Sequence, residues 1–76
     1  MTEQIHVALL NEGTDVWRPV QAEKVADNVY LIPASIDPNA MGEKWEFAPG
    51  SRVFCQHRKV ADGIILAAVR LARAAG

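Results

Sequence analysis

The stretch Glu12-Gly13-Thr14-Asp15-Val16-Trp17-Arg18-Pro19-Val20 holds the residues best suited to recognition chemistry. Trp and Arg are the side-chain types that anchor interfaces, and Trp45 is a third candidate of this kind. An Arg stacked on a Trp face holds a carboxylate or phosphate through its planar fork. Read this way, Trp17, Arg18 and Trp45 form a binding patch. The structural alternative is that Trp17 caps the open end of a small barrel, while Arg18 pairs with Glu12 or Asp15 to fasten the loop. The two readings are compatible, because a rigid loop is a good platform.

Glu12 and Asp15 stand as a carboxylate pair across Gly13. Paired carboxylates do general acid–base work when burial pushes their pKa values apart. In a polar turn next to Arg18, the expectation is instead that Asp15 or Thr14 accepts backbone N–H bonds and shapes the loop. Trp17, Arg18, Trp45, Asp15 and Glu12 therefore stand as candidate binding residues, and no residue stands as catalytic.

Cys55 and His57 lie two apart, so on a strand they share a face, and His6 would make a third metal ligand. A structural zinc takes four ligands, usually from paired spacings that do not occur here. Cys55 between Val53 and Phe54 on one side and Gln56 on the other reads as a small buried hydrophobe. A Cys–His nucleophile pair needs a third, orienting group, and none is visible. No phosphate-cradling Gly-rich loop, nucleophile elbow or paired-Cys motif occurs. No metal, no cofactor and no enzymatic activity are expected.

Arg52, His57, Arg58 and Lys59 put positive charge on one strand, with Trp45, Phe47 and Phe54 near in sequence. Such a surface suits single-stranded nucleic acid. Glu43, Glu46 and Asp62 oppose it, as does the net charge of −1. Lys and Arg also blunt a strand edge, which explains them without a ligand.

The 76 residues, half of them apolar, supply one core and one domain. A chain of this size buries only about 60% of its unfolded surface. With one cysteine, no intramolecular disulfide can form. The start of the chain lacks a signal-peptide pattern, and no apolar run reaches the length of a membrane span. The expected location is the cytoplasm.

Ile5, Val7 and Leu9 alternate with His6, Ala8 and Leu10, a strand pattern in which Leu10 suggests a partly covered second face. Asn11 to Asp15 is a turn. A second extended segment runs from about Val16 to Val25, with Pro19 at an edge or bulge. Asp27-Asn28 before Val29-Tyr30-Leu31-Ile32 predicts a hairpin. Residues 34–43 read as a loop, and Pro38 disfavours a helix there. Trp45 and Phe47 share a face. Ala48-Pro49-Gly50-Ser51 has the residues of a type II turn. Arg52 to Val60 is a strand, Asp62-Gly63 a hairpin signal, and the strand after it runs to about Leu71. The alanines of the tail leave a short C-terminal helix open.

These elements predict an all-β domain spanning residues 1–76, with an ordered core over 3–71 and a frayed tail over 72–76. The expected architecture is a small, partly open, five- to six-stranded barrel of SH3-like type. An OB-like barrel and an α+β fold with a C-terminal helix are the alternatives.

Leu9 to Val20 (Leu-Leu-Asn-Glu-Gly-Thr-Asp-Val-Trp-Arg-Pro-Val) resembles the opening of a family of small, uncharacterised bacterial proteins. Asn28-Val29-Tyr30, Trp45 to Gly50 and Val53-Phe54-Cys55 look like further landmarks of it. The resemblance implies a bacterial origin and carries no activity with it. The expected function is a non-enzymatic interaction module that binds a protein or peptide partner. The alternative is a single-stranded nucleic-acid-binding barrel. A homodimer that hides the Leu10 face is a further expectation.

Overall fold

The structure is a computed structural model, and it describes residues 2–13 and 16–72. Strands β1 (Thr2–Ala8), β2 (Trp17–Ala26), β3 (Val29–Leu31), β4 (Arg52–Val60) and β5 (Gly63–Leu71) follow one another around a closed barrel. All neighbours in sequence pair antiparallel, and β5 then meets β1 in parallel. This up-and-down order differs from the Greek-key order of an OB-fold. β5 continues as strand through Leu71, so residues 64–71 form no helix.

The expected opening in the barrel is closed at a narrow seam, where the registered pair is His6 with Ala67. Beyond the seam, β1 gains a second neighbour from the middle of the chain. Leu9 bridges Trp45, Leu10 N–H donates to the Lys44 carbonyl at 2.7 Å, and Glu46 N–H donates to the Ala8 carbonyl at 2.9 Å. The segment around Trp45 thus acts as a short sixth strand.

Alternation along β1 sends Ile5 and Val7 inward and leaves His6 on the outer face. Val20 and Ala22 of β2, Tyr30 of β3, Val53 and Cys55 of β4 and Ala68 of β5 fill the same interior. Trp45 and Phe47 join this core, as does Ile32 just after β3. Apolar burial of this kind drives the fold, at roughly 25 cal/mol per Å² removed from water. Tyr30 keeps its polar end satisfied, because its hydroxyl donates to Glu3 Oε2 at 2.9 Å. Burial first, and this bond second, raise the Tyr30 pKa.

The turns follow their residue types with two shifts. Asn28 takes φ 62° in the β2–β3 reversal, and a bulge lies between Lys24 and Ala26. Gly50 takes φ 88°, and Ser51 N–H donates to the Ala48 carbonyl at 3.1 Å, as a type II turn requires. The β4–β5 reversal falls one residue early. Ala61 and Asp62 make the turn, and Gly63 already pairs with Val60.

Of three further expectations, two hold and one is corrected. Leu10, just beyond β1, is 44% exposed, while His6 and Ala8 on the outer face of β1 are half-buried, so that face is partly covered, as expected. Residues 34–43 contain a 3-10 turn, Pro38–Met41. Pro38 keeps Asp37 extended, as expected, but that makes Asp37 an N-cap: its carboxylate accepts from Asn39 N–H at 3.1 Å, and Pro38 occupies the first turn. Pro19 faces His6 across the β1–β2 ladder. β3 is registered with β2 only from Glu23 to Ala26, so Pro19 lies on the edge side that its missing N–H suits.

Candidate functional site

The sequence-predicted residues divide between two places. Arg18 and Trp45 come together, but they meet through a residue outside the predicted set. Arg18 Nε–H donates to Glu43 Oε1 at 3.1 Å, and a second guanidinium N–H donates to Glu43 Oε2. Trp45 Nε1–H donates to the same Oε1 at 3.0 Å. The expected partner Glu12 is exposed and takes no part, which corrects the pairing; Asp15 lies outside the described residues. The reason is topological. Trp45 is held beside Leu9 at the end of β1, so Glu43 arrives next to Arg18 on β2.

This cluster is satisfied internally. The fork on Glu43 is bidentate, the strong form of Arg–carboxylate pairing. The bonds from Arg18 and then from Trp45 hold the Glu43 carboxyl below the usual carboxylate range, against a smaller opposing effect of burial. The bond to Glu43 likewise raises the Arg18 guanidinium above its ordinary value. A cleft of about 290 Å³ lies beside it, lined by Leu10, Pro38, Asn39, Glu43, Lys44 and Trp45. Trp45 is a buried core residue, so it offers little ring surface to a partner.

Trp17 is elsewhere. It precedes Arg18 on β2, so alternation puts it on the opposite, outer face with His6 and Pro19. It does not enter the core and does not cap the barrel. Instead Trp17, Pro19 and His6 line a cleft of about 350 Å³ whose other wall is Val60, Asp62 and Ile65, from the β4–β5 hairpin. The Arg58 guanidinium carbon stands over the Trp17 ring, 5.9 Å from its centre. The Arg that approaches a Trp face is therefore Arg58 and not Arg18, at cation–π rather than stacking distance, from a strand that does not neighbour β2 in the sheet.

Two buried polar atoms in this cleft's residues have no hydrogen-bond partner among the described residues: His6 Nδ1 and Trp17 Nε1. Native proteins leave few such groups, and each costs on the order of 1–3 kcal/mol. No other buried side-chain polar atom of the described residues is left in this state.

Sequence reasoning missed Glu43, Arg58 and the role of His6. The signal for His6 and Trp17 was parity, once the β1–β2 register is known. Glu43 gave no local signal.

Cys55 points into the core while His57, two residues on, is exposed. Burial pushes the Cys55 thiol up to about 11. Among the described residues no group of three or more His, Cys, Asp or Glu is placed to hold a metal. No helix among them is long and apolar enough to cross a membrane.

A second outer-face pair lies further along the same hairpin. Arg70 stands over the Phe54 ring at 4.3 Å. Arg52, Arg58, Lys59 and Arg70 all belong to β4 and β5, with no acid within either strand. Comparison with protein-family models, with curated proteins and with solved structures returned no match.

Proposed function

We propose that this chain is a non-enzymatic β-barrel interaction module that binds a peptide segment of a partner protein in the outer-face cleft at Trp17. The observation that carries the reading is the outer-face cleft of about 350 Å³ in which Trp17, His6 and Pro19 face Val60 and Ile65. Apolar walls with a few convergent polar groups are the usual makeup of a ligand site. The Arg18–Glu43–Trp45 cluster serves this surface indirectly, by fixing β2 against the Trp45 segment.

The test is selection of peptides from a displayed library against the whole chain, followed by affinity measurement on wild type and Trp17→Phe. Phe keeps the ring and loses the N–H donor. Binders that lose affinity with Trp17→Phe while the melting temperature holds support the reading. A large fall in melting temperature with unchanged binding would make Trp17 a structural residue only.

A nucleic-acid reading has one observation of its own, the arginine-on-aromatic pairs at Phe54 and Trp17 on a basic hairpin. It requires steeply salt-dependent binding of short DNA or RNA oligomers, measured by fluorescence anisotropy. Exposure of Leu10 favours a second copy covering the end of β1, which light scattering over a range of concentrations tests. A bacterial, cytoplasmic setting is part of the proposal, supported by the Leu9–Val20 resemblance and the lone Cys55.

A further inference from the structure

We infer that the outer face of β4 and β5 binds single-stranded nucleic acid, with phosphates on Arg52, Arg58 and Arg70 and a base against Phe54; this rests on the nucleic-acid reading above and is independent of the Trp17 cleft. The net charge of −1 conceals two unlike halves. Residues 1–51 hold eight acidic and three basic side chains and residues 52–76 one acidic and five basic, a balance of −5 against +4. The fold keeps these sets apart, since β4 lies between β3 and β5 and none of the three strands contains an acid. Of the acids near in sequence, Glu43 is engaged by Arg18, Glu46 lies beside Ala8 at the end of β1, and Asp62 is in the hairpin turn.

Alternation on β4 sends Val53 and Cys55 into the core, so Arg52, Phe54, Gln56 and Arg58 share the outer face. Arg52, Arg58 and Arg70 are exposed, and none forms a salt bridge among the described residues. Arg52 and Arg58 stand roughly 20 Å apart along the strand. Only a ligand with several charges in a row meets both. Stacking separates nucleic acid from an acidic peptide. Arg70 faces Phe54 across the ladder, and its guanidinium carbon lies 4.3 Å from the ring centre. A base stacks on an aromatic ring or on a guanidinium plane, and only an unpaired base can reach one. A run of carboxylates has no group that uses such a platform.

The experiment titrates the whole chain into a labelled oligothymidylate of about ten nucleotides, within the usual site sizes, and reads anisotropy from low to physiological salt. Polyglutamate and a DNA duplex of the same length serve as competitors. Three phosphate contacts give a slope of about −2 in log K against log salt. Arg52→Gln, Arg58→Gln and Arg70→Gln each make that slope shallower by about 0.7. Phe54→Leu weakens binding about tenfold and leaves the slope unchanged. Both competitors displace the oligomer about tenfold less well than unlabelled oligothymidylate. A slope that is the same in all three arginine variants puts the oligomer elsewhere and overturns the inference alone. Equal competition by polyglutamate overturns it in favour of an acidic protein partner, and equal competition by the duplex removes the single-strand preference. No binding of any oligomer at low salt overturns it together with the nucleic-acid reading.

Discussion

The guanidinium of Arg58 reaches across from β4 to within 5.9 Å of the centre of the Trp17 ring on β2, two strands that do not pair. The contact ties the β4–β5 hairpin to the outer face of the barrel. At a largely exposed site a cation–π pair contributes about 0.5–1 kcal/mol. A double-mutant cycle with Trp17→Leu and Arg58→Gln, read by urea denaturation, should return a coupling of that size. Strict additivity would show the two side chains to be independent.

Arg18 and Glu43 are expected to stabilise the protein as a unit, and Glu12 is not. Arg18→Gln and Glu43→Gln each lower the melting temperature, and the double variant loses less than the two single losses together. Glu12→Gln leaves it unchanged. The pH dependence has a defined sign. The folded state holds Glu43 below its ordinary pKa, so the stabilisation is present above the usual carboxylate range and is lost as pH falls below it. Acid titrations of wild type and Glu43→Gln, followed by circular dichroism, check this: the variant's stability should fall less steeply on acidification.

Cys55 should behave as a protected thiol. It is fully buried, and burial raises its pKa to about 11. A thiol-reactive dye at neutral pH should label it only after denaturant is added. Stability carried by the neutral thiol is complete below the unfolded thiol's pKa and is lost as pH rises toward about 11. Cys55→Ala should show a smaller alkaline loss than wild type in denaturation runs between neutral and alkaline pH. Rapid labelling of the native protein would contradict the packing described.

The left-handed residue in the β2–β3 reversal can be tested by backbone chemistry. Asn28 sits at φ 62°, where side chains other than Asn and Gly are disfavoured. Asn28→Ala should cost about 1 kcal/mol, and Asn28→Gly much less. For a domain of this size, 1 kcal/mol is a drop of about 4–8 °C in melting temperature.

Strand periodicity made most of the barrel legible. Ile5, Val7 and Leu9, then Val53 and Cys55, mark the inward face, and both hairpins lie within one residue of their turn signals. Local chemistry is enough there because each strand pairs with the next one along the chain. The site was legible only in its residue types. Trp17 and Arg18 are adjacent in sequence, yet alternation sends them to opposite faces, so the patch imagined around both cannot form. The partners each one uses, Arg58 and Glu43, depend on how the barrel closes and how the 34–43 loop returns. Neither is encoded by nearby spacing. Gly63 was misread by one position because Asp-Gly can sit within a turn or at its exit.

Among the described residues, every ladder but one of the strands β1 to β5 joins strands consecutive along the chain; the exception is the seam at His6 and Ala67. Contacts between distant residues carry a larger loop-closure entropy and slow the search for the native state. The meander can therefore zip up locally, and sealing the ring becomes the slow kinetic step. Ala67 is fully buried at that point. Enlarging it to Val should retard refolding more than any change at Asp27 or Asn28, even where both variants reach the same final stability.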